Sequence, residues 1–209
     1  MATPTHRSPV PRAQQRALDV LHEHGGMMHT AAAIAAGINP WTLHALVEAG
    51  AVERVARGLY RLAEAEPMRA PDLATVAAKA PQAVVCLISA LDWHGLTTQI
   101  PHQVHVALRR SAHKPRLSYP PLRVYWFTEP CYSAGIEAHE VDGVPVRVYS
   151  PEKTLADCFK FRREVGLDTA LEALRLYAAR RPVRIEALFK FAQLCRVRSV
   201  MRPYLEALL

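Results

Sequence analysis

Three polar residues close together in the chain, Ser89, Asp92 and His94, are of the types that build a hydrolase triad. Their spacing argues against that chemistry, because Ser89 and Asp92 lie three residues apart on one predicted helix and His94 alone cannot complete the geometry. The chain also has no Gly-x-Ser-x-Gly segment to present a nucleophilic serine. We therefore interpret Ser89 as a helix cap and His94 as a core histidine.

Metal and cofactor chemistry is not indicated either. His22 and His24 are two residues apart and His102 and His105 three, and neither pair has the helical i,i+4 spacing with a third ligand that zinc needs. The sequence contains no C-x-x-C pair and no glycine-rich phosphate loop. We expect no metal, no cofactor and no enzymatic activity.

DNA recognition is the chemistry that the N-terminal residues favour. The candidate DNA-binding residues are Asn39, Trp41, Thr42, His44, Arg54, Arg57, Tyr60 and Arg61. The first four stand at the start of a predicted third helix, and the others lie in a predicted hairpin. In winged helix-turn-helix proteins the third helix enters the major groove with its N-terminal residues nearest the bases. Two alternatives remain open: Trp41 belongs to the core, or the unit is structural or protein-binding.

The elements that must position these residues follow the winged-helix order. A helix over residues 11–24 ends at Gly25, Thr30 caps a second helix through Ala36, and Asn39 caps a third with Pro40 at its first position. Short alternating strands follow, turning around Arg57 and Gly58. We expect a flexible arm at 1–10, this DNA-binding domain at 11–66 and a second domain at 71–209.

The second domain is predicted to mix strands with a helical end, which makes the fold class α+β. Asp72 and Ser89 are expected to cap its first two helices, and Ser150 a later one. Lys153 and Asp157 are i,i+4 and either pair with each other or leave Lys153 to contact a polyanionic partner. The other predicted elements are strands over 84–88, 102–109 and 122–127, a hairpin over 139–149 turning at Asp142-Gly143, and helices over 167–179, 184–193 and 197–208.

The net charge of +7 is unevenly distributed. Residues 1–66 hold six arginines and six acidic residues, whereas 175–209 hold eight basic residues against two acidic ones. We expect a C-terminal basic surface, which is a second DNA contact, a partner surface or simply a solvated helical face. Its candidate residues are Arg180, Arg181, Arg184, Arg196 and Arg198.

The sequence pattern indicates neither a membrane-spanning segment nor a secretory signal. No apolar run reaches 18 residues, and no signal peptide is expected. The four widely spaced cysteines stand in apolar contexts, which is typical of reduced, buried thiols in a cytoplasmic protein.

Three segments in order resemble the AbiEi antitoxins of type IV (abortive infection) toxin–antitoxin systems. They are Ala56-Arg-Gly-Leu-Tyr-Arg61, Ser89-Ala-Leu-Asp-Trp-His-Gly-Leu96 and Tyr149-Ser-Pro-Glu-Lys-Thr-Leu-Ala-Asp157. The resemblance implies a winged helix that represses its own promoter by binding inverted repeats, and a C-terminal domain that provides antitoxicity. It also implies a nucleotidyltransferase-like toxin that is opposed without a stable complex. The alternatives are a nucleic-acid-processing enzyme and a protein-binding adaptor, in which the winged helix only docks.

Overall fold

The computed structural model describes residues 11–56, 58–64, 70–141, 143–180 and 182–208. The predicted arm at 1–10, most of the linker, Arg57, Asp142 and Arg181 lie outside the described residues. The chain divides into two units, Met1–Arg69 with Val141–Val144, and Ala70–Glu140 with Pro145–Leu209. The predicted domain boundaries stay predictions.

The first unit is a winged helix-turn-helix, which confirms the predicted fold class for this part of the chain. Its elements are α1 (Arg12–Glu23), β1 (Met27–His29), α2 (Thr30–Ala35), α3 (Pro40–Glu48), β2 (Val52–Ala56) and β3 (Leu59–Leu62). The strands form an antiparallel sheet in the order β1-β3-β2. The helices pack on it through a buried cluster that includes Leu21, Leu43, Leu46 and Val52. Strand β1 was not predicted.

Helix α3 begins and ends as its sequence predicts. The Asn39 side chain accepts a hydrogen bond from the Trp41 backbone N–H at 2.9 Å, which confirms the predicted cap. At the other end Gly50 adopts a φ of 69°, in the left-handed region where glycine is favoured after a helix. The ends of the helix are therefore fixed by local sequence.

The second unit carries a five-stranded mixed sheet and a helical layer, in agreement with the predicted α+β class. Its strands are β4 (Val84–Val85), β5 (Val104–Arg109), β6 (Leu122–Phe127), β7 (Ile136–Val141) and β8 (Val144–Tyr149), in the order β6-β5-β4-β8-β7. Its helices are α4 (Pro71–Lys79), α5 (Leu87–Trp93), α6 (Pro151–Lys160), α7 (Arg162–Val165), α8 (Leu167–Ala178), α9 (Ile185–Leu194) and α10 (Arg198–Leu208). Helix α6 lies in the middle of the helical layer, and all of its residues from Glu152 to Phe159 are buried.

Three predicted caps are wrong. Thr30 is the first residue of α2, and its hydroxyl donates to the Gly58 carbonyl oxygen at 3.2 Å. Asp72 lies in the first turn of α4, because Pro71 already starts that helix. Ser89 lies inside α5, where its Oγ accepts the His105 backbone N–H of β5 at 2.9 Å.

The predictions for Ser150 and for the cysteines are confirmed. The Ser150 side chain accepts from the Lys153 backbone N–H and caps α6. All four cysteines are free and buried. Within the described residues, no helix has the length and apolar character needed to cross a membrane.

Candidate nucleic-acid interface

The exposed face of α3 carries the residues that the sequence predicts to read DNA. Trp41 is 82% exposed, so the alternative that it belongs to the core is wrong. Asn39 and His44 are also exposed, and Thr42 is partly exposed. The helix is held to its own unit by buried Leu43 and Leu46 on the opposite face. The N-terminal half of α3 therefore presents a large aromatic ring and three polar side chains to solvent.

His44 has an acidic neighbour on the same face of the helix. Its Nδ1 lies 3.4 Å from Oε1 of Glu48, one turn further on, and both side chains are about 70% exposed. An exposed pair of this kind is readily broken and contributes little to stability. It leaves His44 available to another partner, and it places a negative charge at the end of α3 furthest from Trp41.

The wing strands differ in how far they expose their basic residues. Arg54 is exposed on β2, opposite Tyr60 of β3, whose ring is half-buried against the core of the unit. The Arg61 side chain is only 13% exposed and lies 3.6 Å from the carboxylate of Glu53. Arg54 is therefore more accessible to a phosphate than Arg61, while Arg57 lies outside the described residues.

The wing is tied to the start of α2 through one carbonyl group, a feature that the sequence analysis missed. The Gly58 oxygen accepts hydrogen bonds from the Thr30 backbone N–H at 2.9 Å and from the Thr30 hydroxyl at 3.2 Å. His29 Nδ1 lies 3.1 Å from the same oxygen. Three donors on one acceptor hold the wing strand against the helix-turn-helix, and no local pattern links residues almost 30 positions apart.

The predicted C-terminal basic residues occupy separate places in the second unit. Arg180 donates to the Gly95 carbonyl oxygen at 2.6 Å, and Arg184 Nε lies 3.7 Å from Oε1 of buried Glu152. Arg196 and Arg198, in contrast, line one groove together with Arg202. The structure thus brings together two of the predicted residues and adds a third, whereas Arg181 lies outside the described residues.

The polar residues that suggested enzymatic alternatives have structural partners. His94 Nε2 lies 2.7 Å from the Tyr149 carbonyl oxygen, and burial lowers the pKa of His94 below its usual value. Ser89 bonds the backbone of β5, as described above. In the described part of the chain, no group of three or more His, Cys, Asp or Glu side chains is arranged to hold a metal ion.

Lys153 cannot contact a polyanionic partner, so that alternative is wrong. Its ammonium lies 2.5 Å from Oδ2 of Asp157, and both side chains are completely buried. The same ammonium lies 4.2 Å from the centre of the Tyr149 ring, and Cys195 Sγ lies 3.3 Å from the other Asp157 oxygen. The predicted i,i+4 pair is therefore confirmed, as part of the core.

A three-helix unit with an exposed third helix and a wing is the arrangement of DNA-binding winged helix-turn-helix proteins. Residues 15–63 match the model of a family described as transcriptional regulator, AbiEi antitoxin. This match covers the winged helix, confirms the resemblance for that part of the chain and supports a DNA-binding antitoxin regulator.

The fold of the chain is similar to that of a solved structure, the RV2827C protein from Mycobacterium tuberculosis. The alignment covers 99% of this chain and 85% of that chain, with a TM-score of 0.55 and 13% sequence identity. At this identity the likeness concerns the fold alone. Comparison with proteins of curated function gives no match.

Proposed function

We propose that this protein is a cytoplasmic transcriptional regulator, not an enzyme, which binds inverted repeats in its own promoter and represses it. As an antitoxin it opposes a nucleotidyltransferase-like toxin without forming a stable complex with it. The observation that carries the DNA-binding part is the exposed face of α3, with Trp41, Thr42 and His44 in its first turns. The family match over residues 15–63 supports the regulatory part.

The dimensions and charge of α3 suit insertion by its N-terminal end. Nine residues make a helix about 13 Å long, and the major groove is about 12 Å wide. Glu48 at the C-terminal end is repelled by phosphates, whereas the N-terminal end carries a positive partial charge. Asn39, Trp41, Thr42 and His44 are therefore the residues that approach the bases, while Arg54, Arg57, Tyr60 and Arg61 are assigned to the wing contact.

An inverted repeat requires two copies of α3. Each copy presents one recognition helix, and two half-sites about 10 base pairs apart face the same side of the duplex. The regulator therefore acts as a pair of chains on its operator.

Titration of a labelled promoter fragment, followed by fluorescence anisotropy, tests the DNA-binding proposal. Trp41→Ala should weaken binding about ten-fold or more, since truncation of a tryptophan that anchors an interface typically costs about 2 kcal/mol or more. Ile100→Ala is the matched control, because Ile100 is an apolar side chain of the second unit with the same 82% exposure. Equal affinity of Trp41→Ala and Ile100→Ala would contradict the assignment of α3.

The contributions of base and phosphate contacts separate in the same assay. The double variant Thr42→Ala, His44→Ala should bind with altered sequence preference. Arg54→Ala should weaken binding to all sequences alike and reduce the salt slope by about one unit. An unchanged sequence preference in the first variant, or an unchanged salt slope in the second, would remove those residues from the interface.

The antitoxin activity is assigned to the second unit, and co-expression with the toxin tests that assignment. Trp41→Ala should lose repression of a promoter reporter and still rescue cells from the toxin.

Combined charge reversal of Arg180, Arg184 and Arg198 tests whether the basic residues serve a second DNA contact or a partner. If a folded triple variant keeps both activities, those residues form neither a second DNA contact nor a partner surface.

A further inference from the structure

A groove of about 540 Å³ lies in the second unit between α9 and α10. Its lining residues are Phe189, Gln193, Arg196, Arg198, Ser199, Arg202 and Glu206. The volume is in the range of sites for small organic ligands. Gln193 and Ser199 add hydrogen-bonding groups to a lining that is otherwise arginine, one carboxylate and one aromatic ring.

The charge of this groove suits a phosphate monoester. The lining carries three guanidinium groups and one carboxylate. That carboxylate is already paired, since Arg202 Nε lies 2.6 Å from Glu206 Oε1. The groove therefore keeps an excess of about two positive charges. A phosphate monoester carries nearly two negative charges at neutral pH, and the planar fork of arginine matches its oxygens.

Arg196 occupies a position where glycine would be less strained. Its φ is 59°, and it follows the Cys195 C-cap of α9. The Arg196 N–H donates to Gln193 O at 3.0 Å and the Val197 N–H to Ala192 O at 2.8 Å, which is the Schellman pattern. Glycine is the usual residue at this point of that pattern. An arginine here disfavours the fold locally, which is consistent with a use for its guanidinium in the groove.

Phe189 and Arg198 supply a surface for a planar group. The Arg198 guanidinium carbon lies 5.6 Å from the centre of the Phe189 ring. Aromatic rings and guanidinium planes are the groups on which nucleic-acid bases stack. The groove thus combines the charge of Arg196 and Arg198 with a flat aromatic side for a base.

We propose that this groove binds a nucleoside 5′-phosphate, with the phosphate at the Arg196 and Arg198 guanidinium groups and the base against Phe189. The same chemistry is offered by a free mononucleotide and by the 5′-phosphorylated end of a strand. The site lies wholly in the second unit, and it does not depend on the DNA-binding proposal for α3.

Isothermal titration calorimetry on the full-length protein tests this site with defined probes. Adenosine 5′-monophosphate should bind, and ribose 5-phosphate, inorganic phosphate and adenosine should each bind at least ten-fold more weakly. A four-nucleotide single strand with and without a 5′-phosphate identifies the source of the ligand. Tighter binding of the phosphorylated strand than of the mononucleotide indicates a strand end, and the reverse indicates a free nucleotide. If neither binds, or if inorganic phosphate binds as tightly as the mononucleotide, the proposal is overturned.

Arg196→Gly separates ligand binding from folding. Relief of the left-handed strain should raise the melting temperature, while loss of the guanidinium should weaken binding of the preferred probe at least ten-fold. Arg198→Ala, which leaves that backbone unchanged, should also weaken binding. Arg175→Ala is the control, since Arg175 is an exposed arginine of α8 that does not line the groove. Wild-type affinity in both groove variants would overturn the proposal, as would an equal loss in Arg175→Ala.

Discussion

Asp157→Asn should destabilise the second unit strongly, because it leaves a buried ammonium without its counter-charge. The Lys153 ammonium lies 2.5 Å from Oδ2 of Asp157, and neither side chain is exposed. Removing one partner of a buried ion pair costs about 3–5 kcal/mol. Asparagine keeps the volume of the side chain, so creation of a cavity does not add to this loss. The rings of Tyr149 and Phe127, at 4.2 and 4.9 Å from the ammonium, offset part of it, and we expect a loss near 3 kcal/mol.

The chain provides a matched control for this substitution. Arg202 and Glu206 have the same i,i+4 spacing and an N–O distance of 2.6 Å, but both side chains are mostly exposed. Glu206→Gln should therefore leave the urea midpoint unchanged, since water replaces the lost partner.

Urea unfolding followed by far-ultraviolet circular dichroism measures both effects. The double variant Lys153→Met, Asp157→Leu should recover most of the stability that Asp157→Asn loses, because an apolar pair needs no desolvation of charge. A wild-type midpoint for Asp157→Asn would refute the reasoning. So would a double variant as unstable as the single one, since the loss would then not come from an unpaired charge.

Three further predictions concern stability. Burial lowers the pKa of His105 to about 4, so the unfolded state binds more protons than the folded state between pH 4 and 6.5. The free energy of unfolding is therefore highest above pH 6.5 and falls by at most about 2 kcal/mol between pH 7 and 5. His105→Gln should flatten this pH dependence of the urea midpoint. Asn39→Ala should lower the stability of the first unit by about 1 kcal/mol through loss of its helix cap, and unchanged amide hydrogen exchange in α3 would contradict this. Gly135→Ala should lower the melting temperature more than Gly50→Ala, since both glycines have positive φ but a Cβ at Gly135 would lie 2.8 Å from Lys153 Cβ whereas the space at Gly50 is open; equal melting temperatures would contradict it.

Much of the fold was predictable because local sequence determines it. Asn39 and Ser150 cap the helices that they were predicted to cap, since an N-cap needs only a side chain and a backbone N–H two or three residues away. Strand β1 escaped prediction because three residues are too few to show alternation, and its strand character depends on pairing with β3.

The predictions that failed depend on contacts between residues that are distant in the sequence. Thr30 and Ser89 have the residue type of a cap, but their hydroxyls bond Gly58 and the backbone of β5. The candidate site shows the same limit. Position in the predicted third helix and wing selected Trp41 and Arg61 alike, yet only the packed structure distinguishes the exposed ring of Trp41 from the mostly covered Arg61 side chain.

Footprinting of the wild-type protein on the region upstream of its own gene tests the central claim most directly. The claim is that exposed α3, led by Trp41, recognises an operator there. We expect protection of two inverted half-sites with centres about 10 base pairs apart or a multiple of that spacing. Protection should disappear in Trp41→Ala at the same protein concentration and persist in Ile100→Ala. Uniform protection without discrete sites, or an identical footprint from Trp41→Ala, would contradict the account.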